Sequence, residues 1–156
     1  PVPYSLLDVP RGNQTPFYAA ATFNLMNYFE FINDQYLSID YSHNFGGLIF
    51  NRIPLFKRLK LREVIAFRAV TGSLSKANQI PLIVNTFGTL GKKPYMEASF
   101  GFSNLFKVVR IDFIYRLSYT NSNYINQYNA IQKENGIDVP YQISRFGMKV
   151  SLDFDL

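Results

Sequence analysis

The residues able to do chemistry are few and poorly placed for it. His43 is the sole imidazole of the 156-residue chain and there is no cysteine, so neither a histidine cluster nor a thiolate set could hold a metal. A Ser-His-Asp triad would have to draw its base from the middle of "YLSIDYSHNF", a segment that alternates like a strand. Asp153 and Asp155 stand two apart at the chain end, where contact with water explains them better than acid–base work. "GTLGKK" has the glycines of a phosphate loop but lacks the Gly-Lys-Ser/Thr ending and a following helix, and it reads as a loop. A non-enzymatic protein without cofactor or metal is expected.

What remains is a set of charges sorted by parity. In "SRFGMKVSLDFDL" the residues Phe146, Met148, Val150, Leu152 and Phe154 alternate with Arg145, Gly147, Lys149, Ser151, Asp153 and Asp155. A strand sends successive side chains to opposite faces, so this segment has one apolar and one polar face. "VVRIDFIYRLSY" repeats the pattern, with Ile111, Phe113 and Tyr115 opposite Arg110, Asp112 and Arg116. "YMEASFGFS" sets Met96, Ala98, Phe100 and Phe102 against Tyr95, Glu97 and Ser99. "REVIAFRAVTG" and "YLSIDYSHNF" follow less cleanly, and "ATFNLMNYFEF" over 21–31 is a candidate sixth strand. An all-β fold of five or six strands is therefore predicted.

Two architectures share this pattern. In a soluble sandwich or ligand-binding barrel the apolar rows face a protein interior and the charges face solvent. In a membrane barrel the apolar rows face lipid and the charges face a wet or charge-paired lumen. The connections favour the second. "SNLFK" is short, whereas "SLSKANQIPLIVNTFGTLGKK" and "TNSNYINQYNAIQKENGIDVPYQ" are long, polar and fall at the same end, as in outer-membrane barrels. "NRIPLFKRLK" is the exception, read as an extension of its flanking strands or as a basic amphipathic patch at the membrane surface.

A lipid-facing sheet cannot leave an edge unpaired, and five or six strands are fewer than the eight of the smallest closed barrels. The expectation is thus a C-terminal portion of a larger barrel, consistent with a start, "PVPYSLL", that has neither Met nor signal-peptide regions. No apolar run approaches the roughly 20 residues of a transmembrane helix. The net charge of +5 is spread singly apart from one cluster at 52–62, so nucleic acid is not an expected partner.

The pair "LFKVVRIDFIYRLSY" and "RFGMKVSLDF" resembles the last two strands of the BamA-type superfamily of barrel-assembly and surface-antigen proteins, whose penultimate strand carries Arg-x-Asp, here Arg110-Ile111-Asp112. "VPYSLLDVPRGNQT", "FNLMNYFEF" and "NRIPLFKRLKLREV" more closely resemble the C-terminal barrel region of Bacteroidota outer-membrane proteins that carry a carboxypeptidase-like regulatory domain and end in a domain of unknown function. The resemblance implies an antiparallel transmembrane β-barrel of 16 strands in all, of which this chain supplies the last five or six. Residues 1–35 would form an inserted loop or additional strand with an Arg-Gly turn, and 36–156 the barrel strands. It further implies location in the bacterial outer membrane and a part in envelope biogenesis, outer-membrane protein assembly or transport. A passive channel and a soluble ligand-binding barrel are the alternatives. Implied partners are outer-membrane lipid, the barrel-assembly machinery during insertion, and other outer-membrane proteins or lipoproteins.

Two site assignments follow from the resemblance. Arg145, Gly147, Val150, Leu152 and Phe154 match a C-terminal assembly signal, with Leu156 in place of the usual terminal aromatic. Val9-Pro10-Arg11-Gly12-Asn13 is similar to the superfamily's inward-folded Val-Arg-Gly-aromatic loop, although Pro10 interrupts it and Asn13 replaces the aromatic. That implies pairing of Arg11 with Glu97 or Asp112 in a lumen-facing network of Arg11, Glu97, Arg110, Asp112, Arg116, Arg145 and Lys149. An exposed Pro-Gly turn is the other reading.

Overall fold

Alternation over five segments gives five antiparallel strands in the order in which they occur: β1 (Gln35–Asn44), β2 (Arg62–Ser73), β3 (Tyr95–Leu105), β4 (Val109–Arg116) and β5 (Phe146–Leu152). The structure, a computed structural model, describes residues 6–79, 87–134, 136 and 143–152. The sheet is an open meander: β1 and β5 are its two edges. Residues 21–31 do not form a sixth strand. They carry only isolated bridges, Phe23 to Gly12 and Phe31 to Gly88, and Met26 and Asn27 exchange the apolar and polar positions that a paired strand would keep in alternation.

The connections differ in build. Between β3 and β4 the chain reverses through Phe106 and Lys107, both at positive φ (51° and 73°), with Val108 N–H donating to the Leu105 carbonyl. Three residues, 106–108, thus join the strands, and the left-handed backbone at Phe106 and Lys107 gives the turn a twist that suits a hairpin. Between β1 and β2 lie a 3-10 turn, Phe50–Arg52, and the short helix α1 (Pro54–Leu59). Pro54 starts α1, where its missing N–H costs nothing, and Lys60 ends it in the left-handed region. The connection read as a long polar loop after β4 contains a helix, α2 (Ser122–Glu134), with Tyr128 and Gln132 buried. No helix among the described residues is long and apolar enough to cross a membrane, which says nothing of crossing by strands.

Burial is inverted relative to an ordinary half-buried sheet. On the inner strands the polar face lies under residues 6–34, so that Glu97, Asp112 and Arg116 are at most 1 % exposed, whereas β1 is exposed on both faces. On the opposite face Leu37, Phe146 and Leu152 are 55–67 % exposed. Rings run along that bare face in contact with one another, Phe100 to Phe102, Phe102 to Phe113 and Phe113 to Phe146. The two clusters of buried apolar side chains lie on the covered side near the long connections. There Phe23, Met26, Phe31, Val70, Leu90 and Tyr95 form one cluster, and Ile32, Leu74 and Phe87 a second.

Candidate functional site

The covered face owes its charge pattern to register. Asp40 on β1 stands opposite Arg68 on β2, Arg68 opposite Glu97 on β3, and Glu97 opposite Arg116 on β4. This is a transverse row of alternating sign across four strands, the arrangement that favours cross-strand pairing. Arg68 Nε donates to Asp40 at 2.7 Å, and its other nitrogens reach the Tyr18 hydroxyl (2.7 Å), the Ala20 carbonyl (2.9 Å) and Glu97 (3.8 Å).

Residues 6–34 complete the row from above. The backbone N–H groups of Asn24 and Leu25 donate to the two Glu97 oxygens at 2.7 and 3.1 Å, and the Tyr95 hydroxyl donates at 3.2 Å. Arg116 grips Glu30 with both terminal nitrogens, at 2.6 and 3.1 Å, and lies over the Tyr95 ring at 4.8 Å. Its remaining donors go to the carbonyls of Leu25, Ser118 and Tyr119. Glu30 also accepts from the Tyr124 hydroxyl of α2 at 2.8 Å, and burial beside that carboxylate pushes the Tyr124 phenol far above its ordinary pKa. Arg116 and Glu30 are both fully buried, so each, with the surrounding donors and acceptors, offsets the desolvation of the other.

A second row lies four residues along the strands, two repeats of the pleat away. Lys149 on β5 faces Asp112 on β4, which faces Gly101 on β3. Asp112 accepts both Arg110 contacts, at 2.7 and 2.8 Å, and Arg110 lies 4.4 Å from the Tyr18 ring. A Cβ at Gly101 would come within 2.5 Å of an Asp112 oxygen, so only glycine leaves room for this carboxylate. Lys149 donates to the carbonyls of Asn13 and Thr15 at 2.6 and 2.7 Å. A cavity of about 480 Å³ opens beside it, lined by Asn13, Gln14, Asn27, Ser144 and Met148. Gly12 permits the close return of the chain, since a Cβ there would sit 2.3 Å from the Asn27 carbonyl oxygen.

Of the expected network, Glu97, Arg110, Asp112, Arg116 and Lys149 share the covered face. Arg11 and Arg145 do not. Arg11 is exposed, and the contacts foreseen for it are made by others: Glu97 is held from residues 24, 25, 68 and 95, and Asp112 by Arg110. Arg145 is exposed at the head of β5 and donates to the Thr120 carbonyl at 2.8 Å. Of the proposed assembly signal, Leu152 is exposed on the apolar face and Val150 is half-buried there. Gly147 turns to the other face, where a Cβ would press on the flexible end of Leu25. Phe154 lies outside the described residues.

Sequence reasoning missed Glu30, Arg68, Asn24 and Tyr18 as members of the site. Arg68 carried a usable signal, being the one charge on the polar face of "VIAFRAV". Glu30 carried none, because 21–31 is not a strand and parity does not apply to it. The arrangement fastens an irregular segment to a charged sheet; among the described residues no group of three or more His, Asp or Glu is placed to hold a metal ion.

Residues 8–79 match the C-terminal domain of DUF5686, a family of unknown function. The match spans most of the covering segment, β1, α1 and β2, and so includes Glu30 and Arg68 but not Glu97 or Arg116. No curated protein and no solved structure matches the chain.

Proposed function

We propose that the sheet is part of the wall of a bacterial outer-membrane β-barrel, with residues 6–34 packed inside the lumen. In this reading the protein acts without catalysis in envelope biogenesis, outer-membrane protein assembly or transport. The observation that carries this is the inverted burial: Arg68, Glu97 and Arg116 of the charged row are covered by protein, with Asp40 open at the β1 edge, while the ring-rich face is bare. A soluble sheet that hid Arg116 and Glu97 and left Leu37, Phe100, Phe146 and Leu152 open would present a contiguous apolar surface to water, at a cost that grows with its area. Against acyl chains the same face is at no disadvantage. The edges of β1 and β5, apart from the Val150 rung that residues 16–18 occupy, then pair with further strands of the barrel, as the hydrocarbon region requires.

The occupied lumen supports assembly or transport over a passive channel, which needs an open path. Lipid, the assembly machinery during insertion, and other outer-membrane proteins or lipoproteins are the partners this reading entails.

The test uses the full-length parent protein. It should stay with the membrane pellet through an alkaline carbonate wash and leave it only with detergent. Ile39→Arg or Phe100→Arg, each placing a charge on the bare face, should lower insertion by about 2–4 kcal/mol for a site near the bilayer midplane. Ser42→Arg, on the other face of β1, should insert normally. Release of the wild type without detergent, or indifference to Phe100→Arg, would overturn the reading.

A further inference from the structure

The connection between β1 and β2 folds outward onto the apolar face, and the reason is Glu63. That residue is on the outward side of β2, opposite Phe102 of β3, yet it is completely buried. The backbone N–H groups of Ile49 and Phe50 both donate to one of its carboxylate oxygens, the first at 3.0 Å. Phe50 then packs on Phe102, with ring centroids 5.3 Å apart, and on Phe56 of α1 at 5.0 Å. Asn104 of β3 donates to the Lys60 carbonyl at 2.8 Å and fixes the far end. The segment is therefore moored at the rim of the ring-rich face.

What it displays there is cationic and apolar together. Arg52, Lys57, Arg58 and Lys60 are exposed, with Lys107 exposed in the adjoining β3–β4 turn. Within residues 45–63 Glu63 is the only carboxylate, and it is enclosed with the two amides. Between the cations stand exposed Ile49, Ile53 and Leu59, and Phe106 projects beside them at 84 % exposure. Cations bordered by protruding apolar side chains, at the margin of an apolar wall, match a layer whose outer part carries phosphates and whose inner part is hydrocarbon.

We propose that this end of the sheet is a docking surface for phosphate-bearing lipid headgroups, with Arg52, Lys57, Arg58 and Lys60 as the contacting cations and Ile53, Leu59 and Phe106 entering the acyl boundary. The proposal rests on the membrane reading above and goes further, because it gives the wall a preference among lipids and assigns that preference to one rim.

Full-length protein, purified in mild detergent and stripped of lipid, is titrated with phosphatidylglycerol and separately with phosphatidylcholine, and retained lipid is counted by native mass spectrometry. Wild type should prefer phosphatidylglycerol, and the preference should shrink as ionic strength passes about 0.15 M. The combined variant R52Q/K57Q/R58Q/K60Q should lose the preference by about tenfold. The charge-conserving R52K/K57R/R58K/K60R should keep it, which separates lost charge from misfolding. Lys76→Gln with Lys92→Gln and Lys93→Gln, at the opposite end of the sheet, should also keep it. Equal retention of both lipids by wild type, or an undiminished preference in the four-glutamine variant, would overturn the assignment. In either case a protein that still requires detergent for extraction leaves the membrane reading standing.

Discussion

Glu30 and Arg116 together hold the covering segment to the sheet, and neither can be removed without leaving its partner charged and buried. Glu30→Ala should therefore destabilise the fold by about 3–5 kcal/mol. Tyr124→Phe, which removes a single donor from the same carboxylate, should cost about 1.5–3 kcal/mol. Both are measured as the shift in the midpoint of heat-modifiable mobility in detergent, and equal losses for the two variants would show that the ion pair adds nothing beyond one hydrogen bond. At this scale the sequence was half legible. Parity alone assigns Glu97, Asp112, Arg116 and Lys149 to one face, because the period of a strand is fixed by its backbone. Which charge meets which is a matter of register, and the segments joining β2 to β3 and β4 to β5 are too long to fix a register from local rules. Arg11 shows the limit from the other side: a short motif was matched, but Pro10 and the close return at Gly12 leave its side chain in solvent.

Among the elements, the strands were readable and the irregular pieces were not. α2 is rich in Asn and Gln, residues that read as turn chemistry, and the one stripe it turns toward the protein, Tyr124, Tyr128 and Gln132, is too polar to stand out as an amphipathic period. The β3–β4 turn was expected to be short, and it is, yet it is built from residues that resist it. Phe106 and Lys107 occupy left-handed backbone positions without a glycine, a conformation that costs a side-chain-bearing residue roughly 1–2 kcal/mol. Lys107→Gly should raise stability by up to about 1 kcal/mol, read from the same mobility midpoint; no change or a decrease would mean that the lysine side chain makes good the strain.

For the whole molecule, if the sheet is the barrel wall proposed above, the covering segment decides whether its lumen is open. If residues 6–34 fill it, the full-length protein in planar bilayers should show little steady conductance. Glu30→Ala, which loosens the segment from Arg116, should produce long openings. A wild type that conducts steadily would favour the passive channel instead. The architecture at this scale was the least legible part. Alternation says that a sheet has two unlike faces but not which of them is covered, and that answer came from a segment with no period of its own.

Val150 adds a constraint on how such a wall could be sealed. Its N–H and C=O point away from β4 and are already engaged, by the Pro16 carbonyl at 3.1 Å and the Tyr18 N–H at 2.9 Å. A neighbouring strand zipping along β5 must either skip that rung or evict residues 16–18. Sealing the seam and seating the segment would therefore be rival events at one residue.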